Sequence, residues 1–196
     1  MNVDDEMILI PAPNSLFGQN VNVDRVRHRG IEASVSCRPW DWVEAYANFT
    51  YDNTEIREYA AEPGLVGNRV PVTPEYRGTV GFNFFLPLPF LDVAELGVNA
   101  NVVGPRYAIN DLRNAYSQLP TYGTVDLHGR LGREIFDGFN LTFFFQVENL
   151  NGERYSQTSG IGNVAPTPGW PSQEGIRYYP SPGRNFDVGL TVSFER

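Results

Sequence analysis

The sequence predicts an all-β chain, an antiparallel up-and-down sheet of the transmembrane-barrel kind, and three observations carry that expectation. Apolar and polar residues alternate with a period of two in several separate stretches, each about 10 residues long, which is strand periodicity. The connections between these stretches alternate between short and long. The longest apolar run, Phe84-Phe85-Leu86-Pro87-Leu88-Pro89-Phe90-Leu91, carries two prolines and falls far short of the roughly 20 residues of a membrane helix.

The clearest strand is the last. Phe186, Val188, Leu190, Val192 and Phe194 share one face, and Asp187, Gly189, Thr191 and Ser193 the other. At the start of the chain, Glu6 to Ile10 reads as a short strand that Pro11-Ala12-Pro13-Asn14-Ser15 breaks. An extended segment follows from about Val23 to Cys37, placing Ile31, Ala33 and Val35 opposite Glu32, Ser34 and Ser36. Arg38-Pro39-Trp40-Asp41 has turn chemistry, and Val43, Ala45, Ala47, Phe49 and Tyr51 form the returning face. Asp52 to Pro74 reads as a loop.

Tyr76, Gly78, Val80, Phe82 and Phe84 then mark a strand, and Leu86 to Asp92 a proline-rich turn. Leu96, Val98, Ala100 and Val102 mark the next, before a loop from Tyr107 to Pro120. Val125, Leu127, Gly129 and Leu131 follow, then a turn over Gly132 to Gly138, then Leu141, Phe143, Phe145 and Val147. Leu150 to Gly183 reads as the longest loop. The expected total is eight strands.

Composition narrows the function classes. The aromatic content of 13% with 19 Gly and 15 Pro favours strands and turns. Mean hydropathy is only −0.31 despite 41% hydrophobic residues, so the apolar residues are dispersed. A net charge of −8 argues against nucleic acid, which wants a basic face. The lone cysteine, Cys37, excludes an internal disulfide, and two histidines make a zinc cluster an unattractive reading. Met1-Asn2-Val3-Asp4-Asp5-Glu6 lacks the basic and apolar segments of a signal peptide. The expectation is that the protein is not exported or that its true N-terminus is missing.

The faces opposite the apolar ones carry Glu32, Glu44, Arg77, Glu95, Asp126, His128, Arg130, Gln146, Glu148 and Asp187. A barrel with lipid outside and a polar lumen needs this distribution, with short turns at one end and long loops at the other. Trp42, Tyr51, Tyr76, Tyr122 and Phe194 stand near strand ends, as an interfacial girdle does. A soluble sandwich with its apolar faces turned inward is the alternative.

Four motifs point further. They are Arg29-Gly30-Ile31-Glu32, preceded by Arg27-His28; Asn68-Arg69-Val70-Pro71 with Pro74-Glu75-Tyr76-Arg77; Val147-Glu148-Asn149-Leu150 with Arg154-Tyr155; and Pro182-Gly183-Arg184 before the last strand. In order and spacing they resemble the C-terminal part of the β-barrel of TonB-dependent outer-membrane receptors, over nearly the whole chain. The resemblance implies that residues 1–196 are about eight strands of a larger, roughly 22-stranded barrel, with its plug domain absent. It implies energy-coupled uptake of a scarce ligand, such as a ferric siderophore or cobalamin, in the outer membrane of a Gram-negative bacterium. The implied partners are outer-membrane lipid, the barrel-assembly machinery, and the TonB complex only through the missing plug. The alternatives are a complete small eight-stranded barrel with a structural or adhesive role, or a soluble all-β binding module.

No enzyme, cofactor or metal site is expected. Gly160-Ile161-Gly162-Asn163-Val164-Ala165 matches G-x-G-x-x-A, but Pro166 and Pro168 follow where a helix is needed, so it reads as a flexible loop. Asp126 and His128 share a face without a nucleophile nearby and read as lumen-lining residues. Arg25, Arg27, His28 and Arg29 read as a solvated strand end, with anionic lipid headgroups or an anionic ligand as the functional alternative. Aromatic and arginine side chains in the long loops suit a planar, anionic chelate. On location alone the candidates are Tyr107, Arg113 and Tyr116 in one loop, and Trp170, Arg177, Tyr178 and Tyr179 in another.

Overall fold

In a computed structural model, residues 1–11, 18–164 and 173–194 are described. Eight strands form one antiparallel sheet: β1 (Asn2–Pro11), β2 (Gly18–Trp40), β3 (Val43–Glu58), β4 (Tyr76–Phe85), β5 (Val93–Val103), β6 (Tyr122–Phe136), β7 (Phe139–Glu148) and β10 (Asn185–Phe194). Each neighbours the next in chain order, with β10 beside β7. The remaining two, β8 (Ser156–Val164) and β9 (Gln173–Pro180), pair only with each other. The one helical element among the described residues is a 3-10 turn at Pro63–Leu65.

The pairing register carries the alternation across the sheet. Ile31 faces Tyr51, Tyr51 faces Tyr76, Val80 faces Ala100, Ala100 faces Val125, Leu127 faces Val147 and Val147 faces Phe186. Because side chains alternate strictly along a strand, these pairs put the apolar sets of β2 to β7 and β10 on one side. That side is exposed at Ile31, Phe49, Val80, Phe143, Val188 and Leu190, and Cys37 joins it. A one-residue slip anywhere would turn a whole strand over.

The buried core lies elsewhere. Ile8, Val23, Val26, Ile56, Leu65, Val70 and Leu112 cluster together, with Tyr59 packed against them. These come from β1, from the ends of β2 and β3 nearest the long loops, and from two loops. The molecule is therefore a bare wall with a packed assembly at its loop end.

Four elements differ from expectation. The chain from Leu150 to Gly183 is not all loop, since β8 and β9 form a ribbon there, and Gly160–Val164 falls in a strand. β3 runs to Glu58, because beyond Tyr51 it packs Ile56 into the core. β1 spans Asn2–Pro11 and pairs along Gly18–Arg27 of β2, so Pro11 ends the strand it was expected to break. β2 reaches Trp40, and the turn narrows to Asp41-Trp42.

Two close approaches explain residues that alternation cannot. A Cβ at Gly30 would lie 2.2 Å from the Tyr51 carbonyl oxygen, so only glycine lets β2 and β3 pair there. Gly30→Ala should cost about 2 kcal/mol as overpacking against a backbone that cannot swing away. A urea titration of the folded protein reads this, with Gly64→Ala, which meets nothing within 4 Å, as the neutral control. An unchanged midpoint for both would refute the close approach. Phe144, out of step with its neighbours, lies on the polar side over Gly189, its direct cross-strand partner. Tyr46 over Gly81, His128 over Gly97 and Phe145 over Gly129 repeat the arrangement. In each, a ring covers the gap that a glycine leaves in the sheet.

Candidate functional site: the loop end

Three connections meet at one end of the sheet, residues 59–75, 104–121 and the described parts of the third, 149–164 and 173–184. The middle one is built on Asp111, which is 2% exposed. Its carboxylate accepts the backbone N–H groups of Ala115 (2.9 Å) and Tyr116 (3.0 Å). Asn114 takes a positive φ of 51°, a conformation asparagine tolerates. There its side chain accepts from Arg69 N (2.7 Å) and donates to Arg69 O (3.1 Å). Asn68 donates to Leu112 O (2.8 Å). The first two loops are thus joined through backbone groups that would otherwise be unpaired.

The middle loop also holds the ribbon. Ile109 N donates to Ser159 O (2.8 Å), Asn110 Nδ2 to Ile161 O (2.9 Å), and Ile161 N to Asn110 Oδ1 (2.6 Å). At the base sits Arg106, 3% exposed. Its guanidinium donates to the carbonyls of Gln157 (2.9 Å), Gly104 (3.3 Å) and Ser156, and lies 5.2 Å from the Tyr122 ring centre. Burial lowers the Arg106 pKa, and the Tyr122 hydroxyl partly offsets this.

Tyr122 stacks on Tyr155 at 4.0 Å. It shares the side of Thr124 and Asp126, not the apolar side expected of a girdle residue. Beside it opens a cavity of about 310 Å³ lined by Tyr122, Glu153, Arg154, Tyr155 and Tyr178 between Pro120 and Pro180. Stacked rings with one cationic and one anionic side chain make a cleft for a flat, polar-edged ligand.

Of the residues expected on location, Tyr178 lines this cavity. Arg177 and Tyr179 flank it on β9, the first against Gly162 and the second beside Gly160. Tyr107 lies half-buried, accepting Val72 N at its carbonyl (3.1 Å). Arg113 is exposed and paired with Glu62, while Tyr116 is tied to Asp111 through its backbone. Tyr107, Arg113 and Tyr116 do not line the cavity, and Trp170 lies outside the described residues. Sequence reasoning missed Arg106, Tyr155 and Glu153. The only available signal was the Arg154-Tyr155 motif.

A second cavity of about 550 Å³ lies on the polar side of β2–β4, lined by His28, Glu32, Thr50, Asp52, Thr73 and Arg77. His28 Nε2 meets Glu6 Oε2 at 3.0 Å and its Nδ1 meets Asp52 Oδ2 at 3.4 Å, tying β1 to β3. Burial, the largest single influence, pulls the imidazole pKa down, but the two carboxylates outweigh it and raise the value above 6.5. A raised folded pKa adds stability that is complete below 6.5 and is lost as pH rises through the folded value. Thermal unfolding should therefore show a lower midpoint at about pH 8 than at about pH 6, and His28→Gln should flatten that difference. An equal slope in both proteins would rule the histidine out.

Asp126 accepts from Asn99 (3.1 Å), Asn101 (2.8 Å) and the Asn149 amide (2.8 Å). These bonds make it a cross-strand anchor on the polar side. Among the described residues no group of three His, Cys, Asp or Glu side chains is placed to hold a metal ion.

Comparison with curated proteins finds no match. Among solved structures the fold is similar to the ferric preacinetobactin receptor BauA of Acinetobacter baumannii, with a TM-score of 0.63 and 21% identity. That likeness covers 96% of this chain and 25% of BauA. It is similar also to the ferric yersiniabactin uptake receptor FyuA of Yersinia pestis (0.60, 20% identity, 90% and 24% covered). The copper transporter OprC gives 0.64 at 18% identity, over 98% and 28%. The chain spans about a quarter of the length of these structures. The family model described as TonB dependent receptor-like, beta-barrel, matches residues 1–150. The chain belongs to the TonB-dependent receptor β-barrel family.

Proposed function

We propose that this chain is a C-terminal sector of an outer-membrane receptor barrel that takes up a scarce ligand, a ferric siderophore or a related chelate such as cobalamin, by energy coupling. The observation that carries the reading is the wall itself. One exposed apolar side is continuous over seven strands, its opposite side is polar, and a structured loop assembly stands at one end only. The apolar side, including Phe186, Val188, Leu190, Val192 and Phe194, meets outer-membrane lipid. The polar side lines the lumen.

Two further facts support a sector over a complete small barrel. β1 and β10 stand at opposite edges of an open sheet, with no pairing between them among the described residues. The related receptors are about four times as long. In this reading the barrel-assembly machinery inserts the protein, and the TonB complex acts on a plug that the described wall does not contain. The Tyr122–Tyr155–Tyr178 cleft and the ribbon residues Arg177 and Tyr179 contact the ligand, with Trp170, Tyr107, Arg113 and Tyr116 contributing from the same loops. It is a transport role, with no chemistry performed on the ligand.

The test is uptake of radiolabelled ferric siderophores by cells lacking their own receptors and carrying the complete receptor. Accumulation that an uncoupler abolishes, and that Tyr178→Ala reduces without loss of the protein from the outer membrane, is the expected result. A protein that reaches the membrane yet retains no chelate or cobalamin would overturn the transport reading. A chain folded in water without detergent would overturn the membrane reading as well.

A further inference from the structure

The arginine cluster midway along β2 is not absorbed by uptake. From Val26 to Cys37, β2 pairs with β3 without a register shift, so Arg27 and Arg29 share the side of Ile31, Ala33 and Val35. Opposite them stand Glu55 and Asn53, on the side of Tyr51 and Phe49. The cluster is thus a cationic ledge directly above the apolar wall. Arg29 stands two residues, about 7 Å, from Ile31.

Its charges are not balanced. Glu55 is shared between Arg27 Nη2 and Arg57 Nη1, the latter at 2.6 Å. Arg29 is exposed and makes no hydrogen bond or ion pair to any described residue. The Nε of Arg27 is buried without a partner. Three guanidiniums thus face one carboxylate. Burial, the largest influence on Glu55, works to raise its pKa, but the hydrogen bond from Arg57 and the charges of Arg27 and Arg57 hold it below the usual carboxylate value. The carboxylate stays charged and is spent on two of the three.

We propose that this ledge docks the phosphorylated headgroup of a lipid of the surrounding membrane, with the acyl chains lying along Ile31, Val35 and Phe49. The proposal rests on the apolar side being the lipid side. Guanidinium forks match phosphate oxygens in bidentate geometry, and exposed Arg29 supplies a fork of donors that no described residue uses. A soluble anion would gain from the ledge and nothing from the wall. An amphiphile gains from both, because its phosphate and its chains meet the protein at the same relative height.

The experiment is native mass spectrometry of the purified protein in neutral detergent micelles, with phosphatidic acid and phosphatidylcholine of identical chains added in competition. Phosphatidic acid should be retained preferentially. Arg29→Gln should weaken that retention about fivefold, and Arg29→Gln with Arg57→Gln about 25-fold, at roughly one fivefold step per arginine. Glycerol 3-phosphate, the headgroup without chains, should not compete. Equal retention of the two lipids, or unchanged retention in both variants, would overturn the proposal. So would full competition by glycerol 3-phosphate, which would make the ledge a soluble-anion site. A protein that fails to enter micelles defeats the lipid-side reading and the proposal together. One that enters them without headgroup preference defeats the proposal alone.

Discussion

Leu190→Arg should prevent assembly into the membrane, at a cost of about 2–4 kcal/mol for a cation near the bilayer midplane. Leu190 stands at the middle of β10, opposite Phe143, and is 61% exposed. No described residue covers it; in the proposed membrane reading the environment that accepts it is hydrocarbon, and a guanidinium there must bend to the interface or carry water with it. Thr191→Arg is the matched control. Thr191 faces the polar side opposite Thr142, where a charge meets water and other polar groups. Heat-modifiability on cold SDS gels, after refolding into micelles, reads the difference: the Thr191 variant should retain the compact band and the Leu190 variant lose it. The reverse outcome would exchange lumen and lipid sides for all the strands at once, because the register ties them together.

The wall was legible because its signal is local and repeated. Each strand of the wall, β2 to β7 and β10, separates apolar from polar side chains by its own alternation, and the register sums these without a single inversion. Beyond the apolar band that constraint lapses. Asn2–Glu6 of β1 and Gly160–Asn163 of β8 are polar or glycine-rich strands, held by backbone pairing and by contacts to distant loops, and so they resemble loops in sequence. Phe144 was illegible for a different reason. Its fit depends on Gly189, a residue 45 positions away that only the register brings opposite. The residues of the loop-end assembly follow the same divide. Tyr178, which lines the cleft, was legible as a candidate because exposed aromatics in long loops are conspicuous. Arg106 was missed because its partners are backbone carbonyls some 50 residues on, and a carbonyl leaves no mark in the sequence.

That same residue should have the largest effect in the loop assembly. Arg106→Ala removes the only donors that the Ser156, Gln157 and Gly104 carbonyls receive from this side chain, and it also removes the cation over Tyr122. A hydrogen bond to a charged group is worth about 1.5–3 kcal/mol, and a buried acceptor left unpaired adds its own penalty, so a local loss of about 3 kcal/mol is expected. The loss should stay local, because the wall strands share no hydrogen bond with the guanidinium. Hydrogen exchange should accelerate across Ser156–Ile161 and the paired stretch of β9, while β4 and β5 keep their protection. Arg106→Lys should restore little, since an ammonium lacks the planar fork that reaches separate carbonyls. The consequence for binding follows from position: the ribbon carries Tyr178 and Pro180 into the cleft whose floor is Tyr122 and Tyr155. A freed ribbon should weaken ligand retention in a protein that still folds and inserts. If exchange in the ribbon is unchanged by Arg106→Ala, the ribbon is held by Asn110 and Ile109 alone, and Arg106 does no more than fill the space beneath it.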